Sequence, residues 1–424
     1  MATTVSSVAD ICRSAKRAAK RLARVDTATK DAALEAIAAA LEARSEEIVE
    51  ANARDMSAGR EADIGDALLD RLRLDKGRIA AIAGAVRQIA ALGDPVGEVI
   101  DGHRLANGLD VRKVRVPLGV IAVVYEARPN VTIDATALCL KSGNAIVLRG
   151  SSSATHSNAV LVQIASEAAV GAGLPEGCVS LVAGGGREEL AELATQEGSV
   201  DLIIPRGGEG LKAALKEVAS VPVIYAASGN CHVYVDASAD LDQAEAIAIN
   251  AKVQRPGVCN AAETLLVHES AAPEFVPRIV RALRGAQVRV RADGRTIALA
   301  GAQDGGELEE ASEEDWATEY LALTIALRVV DSTEEAIEHI GRYGSGHSEA
   351  IVTRDTASAR AFQLGVDAAC VYVNASTRFT DGGEFGMGAE IGNSTQKLHA
   401  RGPIGLRELC TFKYLVEGDG HVRG

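Results

Sequence analysis

From Thr27 to Met56 the apolar and charged positions follow a helical period. Leu34, Ile37, Leu41 and Ile48 fall near one face, and charged residues fall on the other. The spacing predicts helix, and the first hundred residues read as helical, with a second stretch over Arg78–Leu92 ended by Gly93-Asp94-Pro95. After Asp110 the period changes to two. Val114, Val116 and Leu118 alternate with Arg and Pro, as in an exposed strand, whereas Ile121–Val124 is a continuous apolar run, as in a buried one.

Strand-like and helix-like segments then take turns. Ala145–Leu148 reads as strand and Thr155–Val170 as helix, which Gly171, Gly173 and Pro175 stop. Val179–Val182 is strand, Glu188–Gln196 helix, Leu202–Ile204 strand, Gly210–Val218 helix and Val221–Tyr225 strand. A second series begins near Val233–Val235 and continues through helix Leu241–Lys252, strand Thr264–Val267, helix Ala272–Leu283 and strand Leu323–Val330. Helix Thr333–Ile340, strand Ala350–Val352, helix Ala357–Leu364 and strand Cys370–Val373 complete it, and Thr411–Val416 in the tail also reads as strand. Such alternation predicts an α/β chain with parallel, doubly wound sheets. No internal repeat or low-complexity linker interrupts the 424 residues, so two closely docked units are expected.

Composition narrows the picture. Aromatic residues make up only 3% against 47% hydrophobic, so the cores are built from Ala, Val, Leu and Ile, which suit helices packed on parallel strands. The formal charge of −14, with Lys and Arg dispersed, argues against nucleic-acid binding. It also means that any anion site needs local arginines or backbone N–H groups. No signal peptide is apparent, and no apolar stretch approaches the ~20 residues of a membrane span, so a cytoplasmic protein is expected. The seven cysteines are odd in number, far apart and without a CxxC pair, which fits a reducing compartment and neither a disulfide framework nor a metal site.

Cys259 stands out among those cysteines. It follows Pro256-Gly257 at a turn and precedes Asn260, instead of sitting inside an apolar run as Cys139, Cys178, Cys370 and Cys410 do. A catalytic thiol needs exposure and a lowered pKa, which a loop lined with backbone N–H groups can supply. A small buried hydrophobe is the alternative. Glycines cluster at Gly184-Gly185-Gly186, Gly207-Gly208-Glu209-Gly210 and Gly382-Gly383, but none matches the usual dinucleotide fingerprint. Pro205-Arg206-Gly207-Gly208 ends a strand and opens a helix, where an anion could be held; ordinary βα turns look the same.

Three segments carry a resemblance. VPLGVIAVVYEARPNVTIDATALCLKSGNAIVLRG from Val116, QRPGVCN from Gln254 and FGMGAEIGNSTQKLHARGPIGLRELCTFKYLV from Phe385 resemble the aldehyde dehydrogenase superfamily. YEARPNVT, LKSGNA, IPRGG, CNAAETLLVH and ARGPIGLREL are similar to the branch that reduces L-glutamyl 5-phosphate, and the match spans essentially the whole chain. The resemblance implies two Rossmann-like, doubly wound domains plus a small β-flap oligomerisation element. An NADP-binding domain is then expected over 1–109 and 120–235 with a returning segment near 375–390, a catalytic domain over 236–374, and the flap and tail over 110–119 and 391–424.

The implied activity is NADPH-dependent reduction of L-glutamyl 5-phosphate to L-glutamate 5-semialdehyde with release of phosphate, the second step of proline biosynthesis from glutamate. Cys259 would form the thioester, and Asn130 with the Cys259 backbone N–H would hold the oxyanion; the alternative for Asn130 is the N-cap of a helix over Thr132–Leu140. Hydrolytic relatives carry a water-activating glutamate. Counting back from Ala239-Asp240-Leu241-Asp242, the matching position is Ala226, which favours reduction over an NAD(P)-dependent aldehyde dehydrogenase releasing a free acid. A non-catalytic scaffold that keeps the fold is the third reading.

For the cofactor, the resemblance assigns Arg149 to an NADP 2′-phosphate with Ser151 and Ser152 as helpers, Gly207 and Gly208 to the pyrophosphate turn, and Glu319 to the nicotinamide ribose. The alternative for Glu319 is a solvated turn residue. Arg128, Arg255 and Arg378 flank the proposed reactive loops and are candidates for the substrate's anionic groups, or else structural ion pairs; His232 and His347 read as structural histidines. A homo-oligomer formed by strand pairing at the flap is implied, and association with glutamate 5-kinase is an open expectation.

Overall fold

The computed structural model describes residues 7–126, 128–184, 186–225, 228–301 and 308–423. The chain divides into two compact units, 1–225 with 387–392 and 404–424, and 226–386 with 393–403. The division falls before Cys231–Val235, so that strand belongs to the second unit, as does 375–386, while the flap clusters with the first.

The first unit opens with five helices, α1 (Val8–Leu22), α2 (Thr27–Ala43), α3 (Ser45–Glu61), α4 (Asp66–Leu72) and α5 (Lys76–Ala90). Polar side chains start three of them: Ser7 accepts from Asp10 N, Asp26 from Thr29 N and Asp75 from Arg78 N at 2.8–3.1 Å. The single stretch read from Thr27 to Met56 is two helices. Arg44, with ψ at 22°, closes α2 and opens α3, and its guanidinium is held by Glu47 and Glu167. A one-residue break leaves the apolar period almost intact, so the pattern cannot reveal it. The reading of the first hundred residues as helix also missed β1 (Val99–Arg104), whose six residues are all exposed and so carry no burial signature.

β2 (Asp110–Pro117) follows and lies between β1 and the C-terminal strand Cys410–Glu417, antiparallel to both. Two sequence readings are corrected here. Val114 is buried rather than exposed, and Leu118 lies beyond the strand. Because β2 is the central strand, its hydrogen-bonding groups are already paired and cannot join another subunit. The free edges of this three-stranded sheet are β1 and Cys410–Glu417.

The parallel sheet of the first unit is built from β3 (Val120–Tyr125), β4 (Ala145–Arg149), β5 (Val179–Leu181) and β6 (Leu202–Arg206), in the order β5-β4-β3-β6. α6 (Asn130–Lys141), α7 (Thr155–Gly171), α8 (Arg187–Ala194) and α9 (Glu209–Val218) connect or follow its strands. Every residue of β3 and β4 is buried, as the unbroken apolar run of β3 predicts. Val221–Tyr225 is not a strand: a bridge from Val223 to Ile203 is all that forms. Pro222 lacks the N–H that a continuing ladder would need.

The second unit carries β7 (Cys231–Val235), α10 (Leu241–Val253), β8 (Ala262–His268), α11 (Ala272–Gly285), β9 (Arg289–Ala292), α12 (Gly294–Ala300), β10 (Glu309–Glu310), β11 (Thr324–Val330), α13 (Thr333–Tyr343), β12 (Ser348–Val352), α14 (Thr356–Gly365) and β13 (Cys370–Val373). These seven strands form one parallel sheet in the order β10-β9-β11-β8-β7-β12-β13. Leu265, Val267, Ile325 and Leu327 pack on Phe275, Val276, Ile279 and Leu283 of α11 on one side. On the other, Tyr234, Leu266 and Ile351 meet Ile340 and Phe362. Helices therefore cover both faces, which makes this sheet doubly wound as expected.

Candidate active site

α10 ends at Val253 with Gln254 as its C-cap, and the chain turns through 255–261 before entering β8 at Ala262. Cys259 lies in this turn. It is half-buried, while Cys12, Cys139, Cys178, Cys231, Cys370 and Cys410 are all buried. The next side chain fixes the turn. Asn260 is buried; its Nδ2 donates to the carbonyls of Thr380 and Arg378 at 2.9 and 3.4 Å, and its own carbonyl accepts from Thr377 Oγ1 at 2.7 Å. The Cys259 loop is thereby tied to the segment after β13, 118–120 residues away in sequence.

Arg378 comes from that segment. Its Nε donates to Gln254 Oε1 at 2.8 Å, and Nη1 donates to Asn260 Oδ1. Burial and then the neighbouring Arg255 charge lower its pKa, whereas Cys259 and Asp381 oppose that shift. A guanidinium coupled electrostatically to Cys259 is the kind of neighbour that nucleophilic cysteines use. Arg378 is held by neutral amide oxygens and makes no carboxylate ion pair among the described residues, and Arg255 is exposed.

Behind the loop, the start of β7 meets the Cys259 peptide. Cys231 Sγ donates to the Cys259 carbonyl at 3.2 Å, and burial raises the Cys231 pKa well above the usual thiol range, so it remains a donor. Glu319 is half-buried, and its Oε1 accepts from Gly229 N at 2.7 Å; it is not a solvated turn residue. Lys252 and Glu263 form a fully buried pair below the loop, and burial pushes the Glu263 carboxyl up to about 7.

In the first unit, Asn130 is the first residue of α6 and makes no capping bond; Pro129 occupies the cap position. The N-cap reading is thus corrected. Asn130 Nδ2 donates instead to Asp134 Oδ2 at 3.0 Å, one turn on. A carboxylate only accepts, so it fixes which end of the Asn130 amide faces it. Arg149 closes β4 with 7% exposure; Nη2 donates to the Gly186 carbonyl at 2.6 Å, while Nε makes no hydrogen bond among the described residues. Ser151 shares a 2.6 Å hydrogen bond with Ser153, Ser152 begins a short 3₁₀ turn, and Arg128 is exposed.

Gly207 and Gly208 lie between β6 and α9, as the sequence predicts, but a side chain already reaches them. Glu126 Oε2 accepts from Gly208 N at 2.9 Å, and a Cβ on Gly207 would come within 2.7 Å of the Glu126 carboxyl carbon. The α9 N-terminus therefore holds an internal carboxylate where a pyrophosphate turn was expected.

His232 and His347 are buried. His232 Nδ1 meets Glu349 at 2.9 Å and His347 Nδ1 meets Ser348 Oγ at 2.7 Å, so both are structural, although neither Nε2 has a partner among the described residues. Ala226 lies outside the described residues.

A model of the aldehyde dehydrogenase family matches residues 1–300. A gamma-glutamyl phosphate reductase from Moorella thermoacetica is 56% identical over 409 residues, 96% of this chain and 97% of the relative. One from Heliobacterium modesticaldum is 54% identical over 411 residues, 97% of each. The crystal structure of gamma-glutamyl phosphate reductase from Thermotoga maritima matches with a TM-score of 0.96 at 47% identity, covering 99% of this chain and 100% of that one. The chain belongs to the aldehyde dehydrogenase family, in its gamma-glutamyl phosphate reductase branch.

Within that family assignment, the second unit brings together Cys259, Arg255, Arg378 and Glu319, and the first holds Asn130, Arg149, Ser151, Gly207 and Gly208 on the ends of its strands and helices. Sequence reasoning missed Glu126, Asp134, Gly229, Cys231 and Asn260. Asn260 had a signal, as the polar residue that marked Cys259. Asp134 lies one helical turn from Asn130, a local spacing that could have flagged it, whereas Glu126, Gly229 and Cys231 act through contacts 28 to 90 residues apart, which no local pattern encodes.

Proposed function

We propose that the chain catalyses NADPH-dependent reduction of L-glutamyl 5-phosphate to L-glutamate 5-semialdehyde, in the cytoplasm, as the second step of proline biosynthesis from glutamate. The observation that carries this reading is Cys259, the half-buried thiol in an Asn260-locked loop beside Arg378. The near-full-length similarity to proteins named gamma-glutamyl phosphate reductase supports the choice of substrate.

The Cys259 thiolate attacks the acyl carbon of the substrate, and the tetrahedral oxyanion expels phosphate to leave a thioester. Asn130 and the Cys259 N–H are the assigned oxyanion donors, and one such donor is worth ~2.7–4 kcal/mol. NADPH, when bound, supplies the hydride that reduces the thioester. Cys259 then leaves the thiohemiacetal as thiolate and releases the semialdehyde. Alanine at 226 provides no carboxylate to activate water, so reduction of the thioester competes with little hydrolysis.

The buried Arg149 Nε, without a partner among the described residues, fits a further anionic oxygen, and a guanidinium suits the 2′-phosphate that separates NADP from NAD. Ser151, Gly207, Gly208 and Glu319 are the remaining cofactor contacts, and Arg128, Arg255 and Arg378 take the substrate's anionic groups. The enzyme works as a homo-oligomer, and transient association with glutamate 5-kinase would shorten the exposure of an unstable acyl phosphate to water.

The test is oxidation of glutamate 5-semialdehyde with NADP in the reverse direction. Turnover that requires phosphate, and its abolition in Cys259→Ala while NADP still binds, are the expected results. Turnover indifferent to phosphate would favour an aldehyde dehydrogenase that releases the free acid. Substantial turnover by Cys259→Ala would remove the thiol from the mechanism.

A further inference from the structure

The Cys259 carbonyl is gripped from behind by a segment of the same unit. A Cβ built on Gly229 would lie 1.4 Å from the Cys259 oxygen, 2.3 Å from its carbonyl carbon and 2.7 Å from its Cα. No side chain fits there, so the Gly229 backbone rests directly on the Cys259 peptide. Such a contact is stiff: a shift of Gly229 must be followed by Cys259. The Cys231 thiol donates to the same carbonyl at 3.2 Å, which keeps the two segments together.

The position of Gly229 is in turn set by Glu319, whose Oε1 accepts from Gly229 N at 2.7 Å, a short charge-assisted bond. The neighbouring residue reinforces the arrangement. Asn230 Nδ2 donates to the carbonyls of Trp316 and Tyr343 at 2.7 and 2.8 Å, so the segment before β7 is strapped to the one bearing Glu319. On the other side, Leu321 N donates to Glu263 Oε1 at 3.3 Å, anchoring the 316–321 segment to β8 just beyond the cysteine loop.

We propose that Glu319 is a positioning residue for Cys259, acting through the Gly229 N–H, in addition to any contact it makes with the cofactor. The inference rests on the reading of Cys259 as nucleophile. A carboxylate has lone pairs enough for two partners, so Oε1 can hold Gly229 while Oε2 remains available. The prediction that separates this role from cofactor binding is that loss of the acceptor at 319 impairs Cys259 chemistry when no cofactor is present.

The experiment uses the cofactor-free protein and p-nitrophenyl acetate, whose acyl group transfers to a reactive thiolate with release of p-nitrophenolate. Glu319→Ala should slow this acylation about 10-fold, as a displaced reacting group does. Glu319→Gln keeps an acceptor oxygen and drops the charge, and should recover most of the rate. Acylation of Glu319→Ala at the wild-type rate would overturn the proposal, and a raised KM for NADPH as its sole defect would identify a cofactor contact alone. Equal slowing in Glu319→Gln and Glu319→Ala would also overturn it, because charge and not the hydrogen bond would then matter. Acylation persisting in Cys259→Ala would fail the nucleophile reading itself, and the positioning role with it.

Discussion

At the scale of single residues, burial separates the reactive thiol from its inert relatives. Burial pushes Cys12 up to about 11 and Cys178 and Cys410 up to about 12, so these remain protonated at neutral pH. Cys259 escapes that environment because its neighbours are Pro256, Gly257 and a polar Asn260, and that much is legible in the sequence. Gly229 and Glu126 were not legible, since their partners lie 90 and 82 residues away along the chain. The same burial makes His347 a source of acid lability. Its pKa is lowered to about 4 by burial, so between about pH 6.5 and 4 the unfolded chain takes up a proton that the folded protein refuses. Stability present above pH 6.5 is therefore lost as pH falls, by up to about 3 kcal/mol, to which His339 adds in the same direction. Urea titrations at pH 7 and pH 5 should show this loss, and His347→Gln should reduce it; equal stability at the two pH values would contradict the assignment.

At the scale of elements, the two parallel sheets were legible wherever strands carry an unbroken apolar run, as in β3 and over Leu265, Leu266 and Val267 of β8, because both faces are covered by helices. The failures have physical causes. Arg44 breaks a helix without disturbing its apolar stripe, Pro222 denies a strand its donor, and β1 is exposed along its whole length. The α9 N-terminus shows how an element can be read correctly and its occupant missed. The turn at Gly207-Gly208 was predicted, but Glu126 already supplies the negative charge there. If this turn receives the cofactor's pyrophosphate, Glu126 opposes it by like-charge repulsion. Glu126→Gln, which retains an acceptor for Gly208, should tighten NADPH binding about fivefold, equivalent to about 1 kcal/mol at a helix terminus. Calorimetric titration checks this, and unchanged or weaker binding would show that the carboxylate does not compete with the cofactor.

At the scale of the whole molecule, the alternation of strand and helix announced two α/β units, and the tail was expected as a returning segment near 375–390 followed by flap and tail over 391–424. It contributes 393–403 to the second unit and 387–392 and 404–424 to the first, a return of chain that depends on contacts between residues far apart in sequence. The three-stranded flap leaves Phe412, Tyr414 and Val416 of Cys410–Glu417 about half exposed on one face of an edge strand. Apolar side chains beside unpaired backbone groups invite a second copy. Light scattering after size-exclusion chromatography should find an oligomer for the wild type and a shift toward monomer for Tyr414→Lys. A monomeric wild type at micromolar concentration would refute the flap as an assembly surface.

The central claim is that a thioester on Cys259 exchanges with hydride on one side and phosphate on the other. It is tested most directly by mixing the protein with NADP and glutamate 5-semialdehyde without phosphate, and following NADPH by absorbance and the protein by mass. The expected result is a single burst of NADPH stoichiometric with chain, an acyl adduct confined to the peptide containing Cys259, and resumed turnover when phosphate is added. Steady NADPH formation without phosphate, or an unmodified Cys259 peptide after the burst, would contradict it.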